Sequence, residues 1–196
     1  MLPVDLKDLL LVFNANGVEY LVVGGHAVGL HSEPRATKDL DVFIRSSKKN
    51  GEAVYRALAK YGAPLADVTP EVFNDGKSIF QIGVEPYRID ILQQIDGVTF
   101  EAAWMDRVQG TLEEGVPANF ISREHLIQNK LASGRHIDLH DVDALRGAAE
   151  QSPKRESRAV PSAVAKRAEV ERADEDKKIP STPKRTRSRA GKGIER

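Results

Sequence analysis

The chain has no cysteine, which excludes both a disulfide framework and a thiolate metal site. Aromatic residues make up only 6% of it, and it has no long apolar run. The apolar stretch at its start, MLPVDLKDLLLVF, is broken by Asp5, Lys7 and Asp8 before a signal-peptide core or a membrane span can form, so a cytoplasmic location and no membrane partner are expected. Formal net charge is absent too, with 29 basic and 29 acidic residues among 196. The sharpest absence is local. Residues 151–196 contain no Leu, Phe, Tyr, Trp or Met, and Pro, Ser, Lys, Arg and Glu crowd the segment instead. So little apolar surface cannot offset the entropy of ordering the backbone, and 151–196 is expected to be a disordered tail.

The zero net charge hides an asymmetry. The tail carries 14 basic and 7 acidic residues, a net of +7, which leaves 15 basic and 22 acidic residues, a net of −7, in residues 1–150. A basic tail of this kind is a solubilising extension in its simplest reading, and a contact for a polyanion such as RNA in a second one. Residues 1–150 are expected to form one domain, since about 150 residues bury roughly 70% of their unfolded surface and suffice for an enzyme core.

Within that domain Leu6, Leu9, Leu10 and Phe13 recur at helical spacing behind Asp5, a candidate N-cap, and Asn16-Gly17 ends the run. Glu19 to Val23 reads as a short buried strand that stops at Gly24-Gly25, and a helix begins at His26 and breaks at Pro34. A second strand, Asp39 to Ile44, alternates acid and apolar at its start. Lys48 to Tyr61 reads as an amphipathic helix closed by Gly62. Strands are expected at Ile79–Ile82 and Tyr87–Leu92, joined through Gly83 to Pro86. An edge hairpin follows, from Arg107–Leu112 to Val116–Ile121 through Glu114-Gly115. Ser122 caps a helix that ends at Gly134, and Asp138 to Ala149 forms another. This order predicts an α/β (α+β) fold, a mixed sheet flanked by helices, with helices at the C-terminal end of the domain.

Side chains at i and i+2 of a strand share a face, so Asp39 and Asp41 project together while Leu40 and Val42 enter the core. At about 4 Å two such charges repel by roughly 1 kcal/mol in water and roughly 4 kcal/mol at an effective dielectric of 20, and a cation between them is the natural compensation. With oxygen ligands and no cysteine, that cation is expected to be magnesium or manganese. Asp90 lies in a separate apolar run, Tyr87-Arg88-Ile89-Asp90-Ile91-Leu92, where an ionised carboxylate is costly unless it is paired or coordinated. If its strand lies beside the Asp39–Asp41 strand, three carboxylates converge and suit two ions acting on an in-line displacement at phosphorus. Gly24-Gly25, between a strand and a helix, leaves backbone N–H groups bare for phosphate oxygens. Alone, a Gly-Gly turn or a D-x-D pair is commonplace. The informative pattern is a strand, Gly-Gly, thirteen residues, D-x-D on a second strand, and a third apolar-flanked Asp.

The run LVVGGHAVGLHSEPRATKDLDVFI resembles the signature of the nucleotidyltransferase superfamily, the DNA polymerase β-like enzymes, with Asp90 matching the third acid. More narrowly, LIQNKLASGRHIDLHDVDAL resembles the C-terminal motif of the AbiEii-like toxins and related nucleotidyltransferases. The resemblance spans Tyr20 to about Leu145 and implies the nucleotidyltransferase fold. It implies transfer of a nucleoside monophosphate from an NTP to an acceptor hydroxyl with release of pyrophosphate, dependent on Mg2+ or Mn2+. It also suggests a place in a toxin–antitoxin system with an antitoxin partner. Carried over, it gives Gly24 and Gly25 to the triphosphate, Asp39 and Asp41 to both metals, and Asp90 to the catalytic metal and the attacking hydroxyl. Thr37 would orient the strand or touch phosphate, Lys130 would neutralise the triphosphate, and Arg135, Asp138 and Asp141 would shape the adjoining surface. The serine common after the family's first glycine is Gly25 here, which leaves phosphate contacts to the backbone.

Duller readings stand beside these. Lys130 reads equally as a solvated helix charge, and Arg135 with Asp138 and Asp141 as an ion pair fixing a turn. Arg35 reads as a phosphate contact or as an exposed loop residue. His26 is expected to be structural, and Phe100 and Trp104 to be core. The rival to an enzyme is a catalytically silent module of the same fold, a toxin–antitoxin partner or an RNA-binding protein. The retention of all three acids and the −7 domain speak against it. The acceptor is left open among tRNA, a protein and a small molecule.

Overall fold

The computed structural model describes residues 6–33, 37, 39–84, 87–112 and 115–151. Their elements run α1 (Leu6–Ala15), β1 (Tyr20–Val22), α2 (Gly24–His31), β2 (Leu40–Ile44), α3 (Lys48–Tyr61), a 3-10 turn (Pro70–Phe73), β3 (Ile79–Val84) and β4 (Tyr87–Leu92). Then follow α4 (Phe100–Met105), β5 (Val108–Leu112), β6 (Val116–Phe120), α5 (Arg123–Ser133) and α6 (His136–Gln151). The six strands form one mixed sheet in the order β3-β4-β2-β1-β6-β5. β2–β4 and β1–β6 are parallel, and the other pairs are antiparallel. The expected architecture, a mixed sheet flanked by helices with two helices at the end, is the observed one. No described helix is long and apolar enough to cross a membrane.

Local chemistry explains the elements. Ser47 accepts a hydrogen bond from the Asn50 N–H at the start of α3, and Gly62 ends that helix with φ +86, a conformation that favours glycine. Ser122 caps α5 on the His125 N–H, and Gly134 closes it at φ +65. Leu40, Val42, Phe43 and Ile44 of β2 are all buried, as a strand covered on both faces requires. Each such side chain contributes on the order of 1.5–3 kcal/mol by leaving water.

Some boundaries differ from the sequence-based expectation. β2 begins at Leu40, so Asp39 stands just before the strand, and α2 begins at Gly24, so the glycine pair forms its first turn. The 3-10 turn and α4 were not expected. Both are too short to carry a helical period; α4 is tied to the sheet by Phe100, which meets Phe43 at 5.1 Å, and within the helix Phe100 stacks on Trp104 at 5.5 Å. The expectations for Asp5, Pro34, Arg35, the Gly83–Pro86 turn at its Glu85-Pro86 half, Glu114 and the tail beyond Gln151 lie outside the described residues. The main compact unit is Met1–Pro153.

Candidate active site

β2 and β4 lie side by side near the middle of the sheet, and their parallel register pairs Asp41 with Asp90, flanked by Leu40–Ile89 and Val42–Ile91. The apolar pairs anchor both strands in the core. The two carboxylates are thereby held opposite one another by backbone pairing. Asp39, one residue outside β2, is more exposed than Asp90, with 39% of its side chain accessible against 11%. The strand juxtaposition on which the carboxylate reading depended is present.

The site is short of positive charge. Burial, and next the charge of Asp90, push the Asp41 carboxyl up to about 6; Lys130 and Arg88 pull it down and Asp39 adds to the rise. A carboxyl raised in this way by burial and a neighbouring acid suits a place that holds a cation. The donors are carboxylate oxygens, which fits a hard divalent ion. Among the described residues no group of three or more His, Asp or Glu side chains stands ready-made to hold one. A cation from the chain stands there instead: Arg88 donates from Nε to Asp90 Oδ1 at 2.9 Å and approaches Asp39 Oδ2 with Nη2 at 3.7 Å. Gln81, opposite Asp90 on β3, donates to the same Asp90 oxygen at 3.1 Å.

Sequence reading did not single out Arg88 or Gln81. The signal for Arg88 was available, because it precedes Asp90 by two in a strand and so shares its face. Gln81 carried no such signal, since its position depends on the β3–β4 register.

The glycine pair has a second reason to be glycine. Gly24 has φ +60, and a Cβ there would overlap the Asp41 carboxylate; a Cβ on Gly25 would lie 2.7 Å from Thr37 Oγ1. The first turn of α2 is thus pressed against the acid site, with its N-terminal N–H groups near Asp41. Val23 N–H bonds the Asp41 carbonyl at 3.0 Å and fixes the approach. Thr37 donates its hydroxyl to the Asp39 carbonyl at 3.4 Å, which orients the entry to β2.

Lys130 is not a solvated helix charge. It is buried, with Nζ 2.7 Å from Asp138 Oδ1 and 3.0 Å from Asp141 Oδ2. Arg135 Nε bonds Asp138 Oδ2 at 2.6 Å across the α5–α6 turn, the structural ion pair expected of it. Burial pushes the Asp138 carboxyl up, but the bonds from Arg135 and Lys130 outweigh it and leave it at about 2. The charge of Lys130 also reaches Asp41, so α5 and α6 abut the acid site. Phe100 is core, as expected, and Trp104 packs against it half-buried.

The chain is similar to several known proteins. Residues 3–148 match a family model described as nucleotidyltransferase of unknown function (DUF6036). Among solved structures, the lincosamide antibiotic adenylyltransferase LnuA, lincomycin-bound, is 19% identical with a TM-score of 0.47, over 74% of this chain and 98% of that one. The antibiotic-resistance factor ANT(2'')-Ia is 14% identical with a TM-score of 0.46, over 87% and 88%. An antigenic nucleotidyltransferase-like protein from Paracoccidioides brasiliensis is 14% identical with a TM-score of 0.43, over 86% and 89%. None of the curated proteins compared with the chain matches it.

Proposed function

The chain belongs to the family of nucleotidyltransferases of unknown function that its residues 3–148 match, and on that premise we propose that it transfers a nucleoside monophosphate from an NTP to an acceptor hydroxyl, releasing pyrophosphate, with Asp39, Asp41 and Asp90 as metal ligands. The observation that carries this reading is the pairing of Asp41 with Asp90 on adjacent parallel strands, where burial, and next the charge of Asp90, push the Asp41 carboxyl up to about 6. Family membership supports nucleotidyl transfer; the residue roles and the choice of Mg2+ or Mn2+ are our proposal.

In this reading Asp39 and Asp41 would hold the divalent ions, and Asp90 would help hold the catalytic one and accept the proton of the attacking hydroxyl. When bound, divalent ions supply charge for the displacement at the α-phosphorus and for the departing pyrophosphate. The first turn of α2, at Gly24 and Gly25, offers backbone N–H groups and the positive end of a helix to the triphosphate. Thr37 orients the entry to β2. Lys130 has two carboxylates on its ammonium and one further donor for phosphate, and its field favours the ionised form of Asp41. Catalysis rests on positioning and electrostatics.

Incubation with each labelled NTP, Mg2+ or Mn2+ and a cell extract tests the proposal, with the Asp41→Asn protein as control. Label must enter acceptor material with the wild type and not with the variant. Equal labelling by both removes the assignment. Label in tRNA-sized or protein material would support a toxin role, and label in small molecules would count against one. If the acceptor is RNA, removal of the basic tail should weaken binding and flatten its salt dependence.

One observation favours the silent-module reading. Arg88 already provides a positive charge to Asp39 and Asp90, as a permanent substitute for an ion would. The two readings therefore differ on whether Arg88 can be displaced.

A further inference from the structure

Asp90 stands in a row of residues that face one another across three strands: Gln81 of β3, Asp90 of β4 and Asp41 of β2. Directly opposed residues of neighbouring strands share a face. β3 is an edge of the sheet, and its alternation separates two faces. Phe80 and Ile82 turn to the core, where Phe80 meets Phe73 at 5.3 Å and Ile82 is buried. Ile79, Gln81 and Gly83 therefore turn to the side of the acids, and Gln81 brings the one polar side chain of the three. It donates from Nε2 to Asp90 Oδ1 at 3.1 Å, the oxygen that also accepts from Arg88 Nε at 2.9 Å. Among the described residues no hydrogen bond reaches Asp90 Oδ2.

A carboxylate turns easily about its last bond, so its two oxygens become different only when something holds one of them. Two donors on Oδ1 do that. Gln81 is the neutral one, and an amide donates without cancelling the charge that an ion or a proton needs. A base at 81 would compete with a cation, and an acid there would add to the repulsion among Asp39, Asp41 and Asp90. We propose that Gln81 is a positioning residue for Asp90, which fixes the carboxylate through Oδ1 so that Oδ2 is kept for the divalent ion and the attacking hydroxyl. This rests on the metal-dependent reading given above. Arg88 keeps its own bonds throughout.

The test is a double-mutant cycle on the full-length chain, with wild type, Gln81→Met, Asp90→Ala and the double variant. Each is titrated with Mn2+ in the presence of α,β-methylene-ATP, and binding is followed by loss of the free-ion electron paramagnetic resonance signal. Gln81→Met keeps the length of the side chain and removes the amide. It is expected to bind Mn2+ about tenfold more weakly than wild type, as loss of a bond that supports a ligating carboxylate does. In the Asp90→Ala background the same substitution should change binding by less than about twofold. In label transfer, Gln81→Met should lower kcat about 10–100-fold while the KM for NTP stays within about twofold of wild type. Mn2+ binding by Gln81→Met equal to wild type, while Asp90→Ala weakens it, overturns this proposal and leaves the metal site standing. An equal loss in both backgrounds also overturns it, because Gln81 then acts elsewhere than on Asp90. Should Gln81→Met fail to fold, Gln81→Asn, whose amide is one methylene short of Asp90, carries the same expectations. Mn2+ binding that Asp90→Ala leaves unchanged overturns the assignment of Asp90 and this inference with it. Absence of Mn2+ binding in every protein overturns the metal-dependent reading and this inference together.

Discussion

Two clusters of buried or half-buried acids lie close together in this molecule, and their surroundings treat them in opposite ways. On α5 and α6, Asp138 and Asp141 face Lys130 and Arg135, two acids against two bases. Asp138 is held at about 2. On β2 and β4, three acids share Arg88, and Asp41 is pushed up to about 6. The first cluster is complete within the chain, as an ion network that fixes the turn between two helices should be. The second sets three acids around Arg88, and on our proposal the balance is supplied by bound divalent ions. Acidity alone does not mark a site; the shortfall of cations does.

The largest expected effect breaks the second cluster chemically. Asp39→Asn or Asp41→Asn should lower transfer by about a thousandfold or more, since each removes a proposed metal ligand. Label transfer in the extract assay measures this, and near-wild-type turnover in either variant would end the two-metal assignment. Asp90→Ala sharpens the same point: nucleotide affinity by calorimetry should persist while transfer fails. Undiminished transfer would make another acid, Asp138 first, the third ligand.

Next in size is damage to the first cluster. Lys130→Met strands Asp138 and Asp141 without their common cation and should cost about 3–5 kcal/mol of stability. Denaturant unfolding with and without Mg2+ checks it. A loss of activity with unaltered stability would instead make Lys130 a phosphate ligand alone.

A smaller effect of opposite sign distinguishes the clusters by pH. Asp41 has a folded-state pKa raised from 3.8 to about 6, so its destabilising effect is absent below 3.8, develops between these values, and is constant above them. Asp41→Asn should thus be more stable than wild type by about 1–3 kcal/mol at pH 7 without metal, with the gap closing near pH 4. Asp138 has a folded-state pKa depressed to about 2, so its stabilising effect is present above 3.8 and fades as pH falls through 2. Melting curves of Asp41→Asn and wild type across pH 3–8 give the comparison, and a pH-independent difference would contradict it.

The smallest expected effect concerns the tail. We propose that the folded domain ends with α6, so deletion of 152–196 should shift the melting temperature by no more than about 2 °C. A large drop would mean that the tail docks on the domain.

Most of the strand order of events was legible from period and punctuation. Alternation at its start placed β2, Ser122 announced α5, and Gly62 and Gly134 ended α3 and α5. The three acids were legible because a charged residue in an apolar strand is costly enough to need a reason. α4 was not, since its six residues are too few to show a period and Phe100 ties them to Phe43 of β2.

Residue type and spacing were thus enough to set Asp39 and Asp41 two apart at the start of one strand, to mark Asp90 as anomalous, and to show that the last 46 residues have little to bury. Only the tertiary structure decided that Asp90 pairs with Asp41, that Arg88 and Gln81 bond it, that Lys130 is buried between two acids, and that Gly24 makes room for the Asp41 carboxylate. The physical reason is that side-chain facing within a strand is a local, two-residue property. Charge compensation depends on which strands and helices meet, and the contacts Lys130–Asp138, Gly24–Asp41 and Asp41–Asp90 join residues 8 to 49 positions apart that no local period relates.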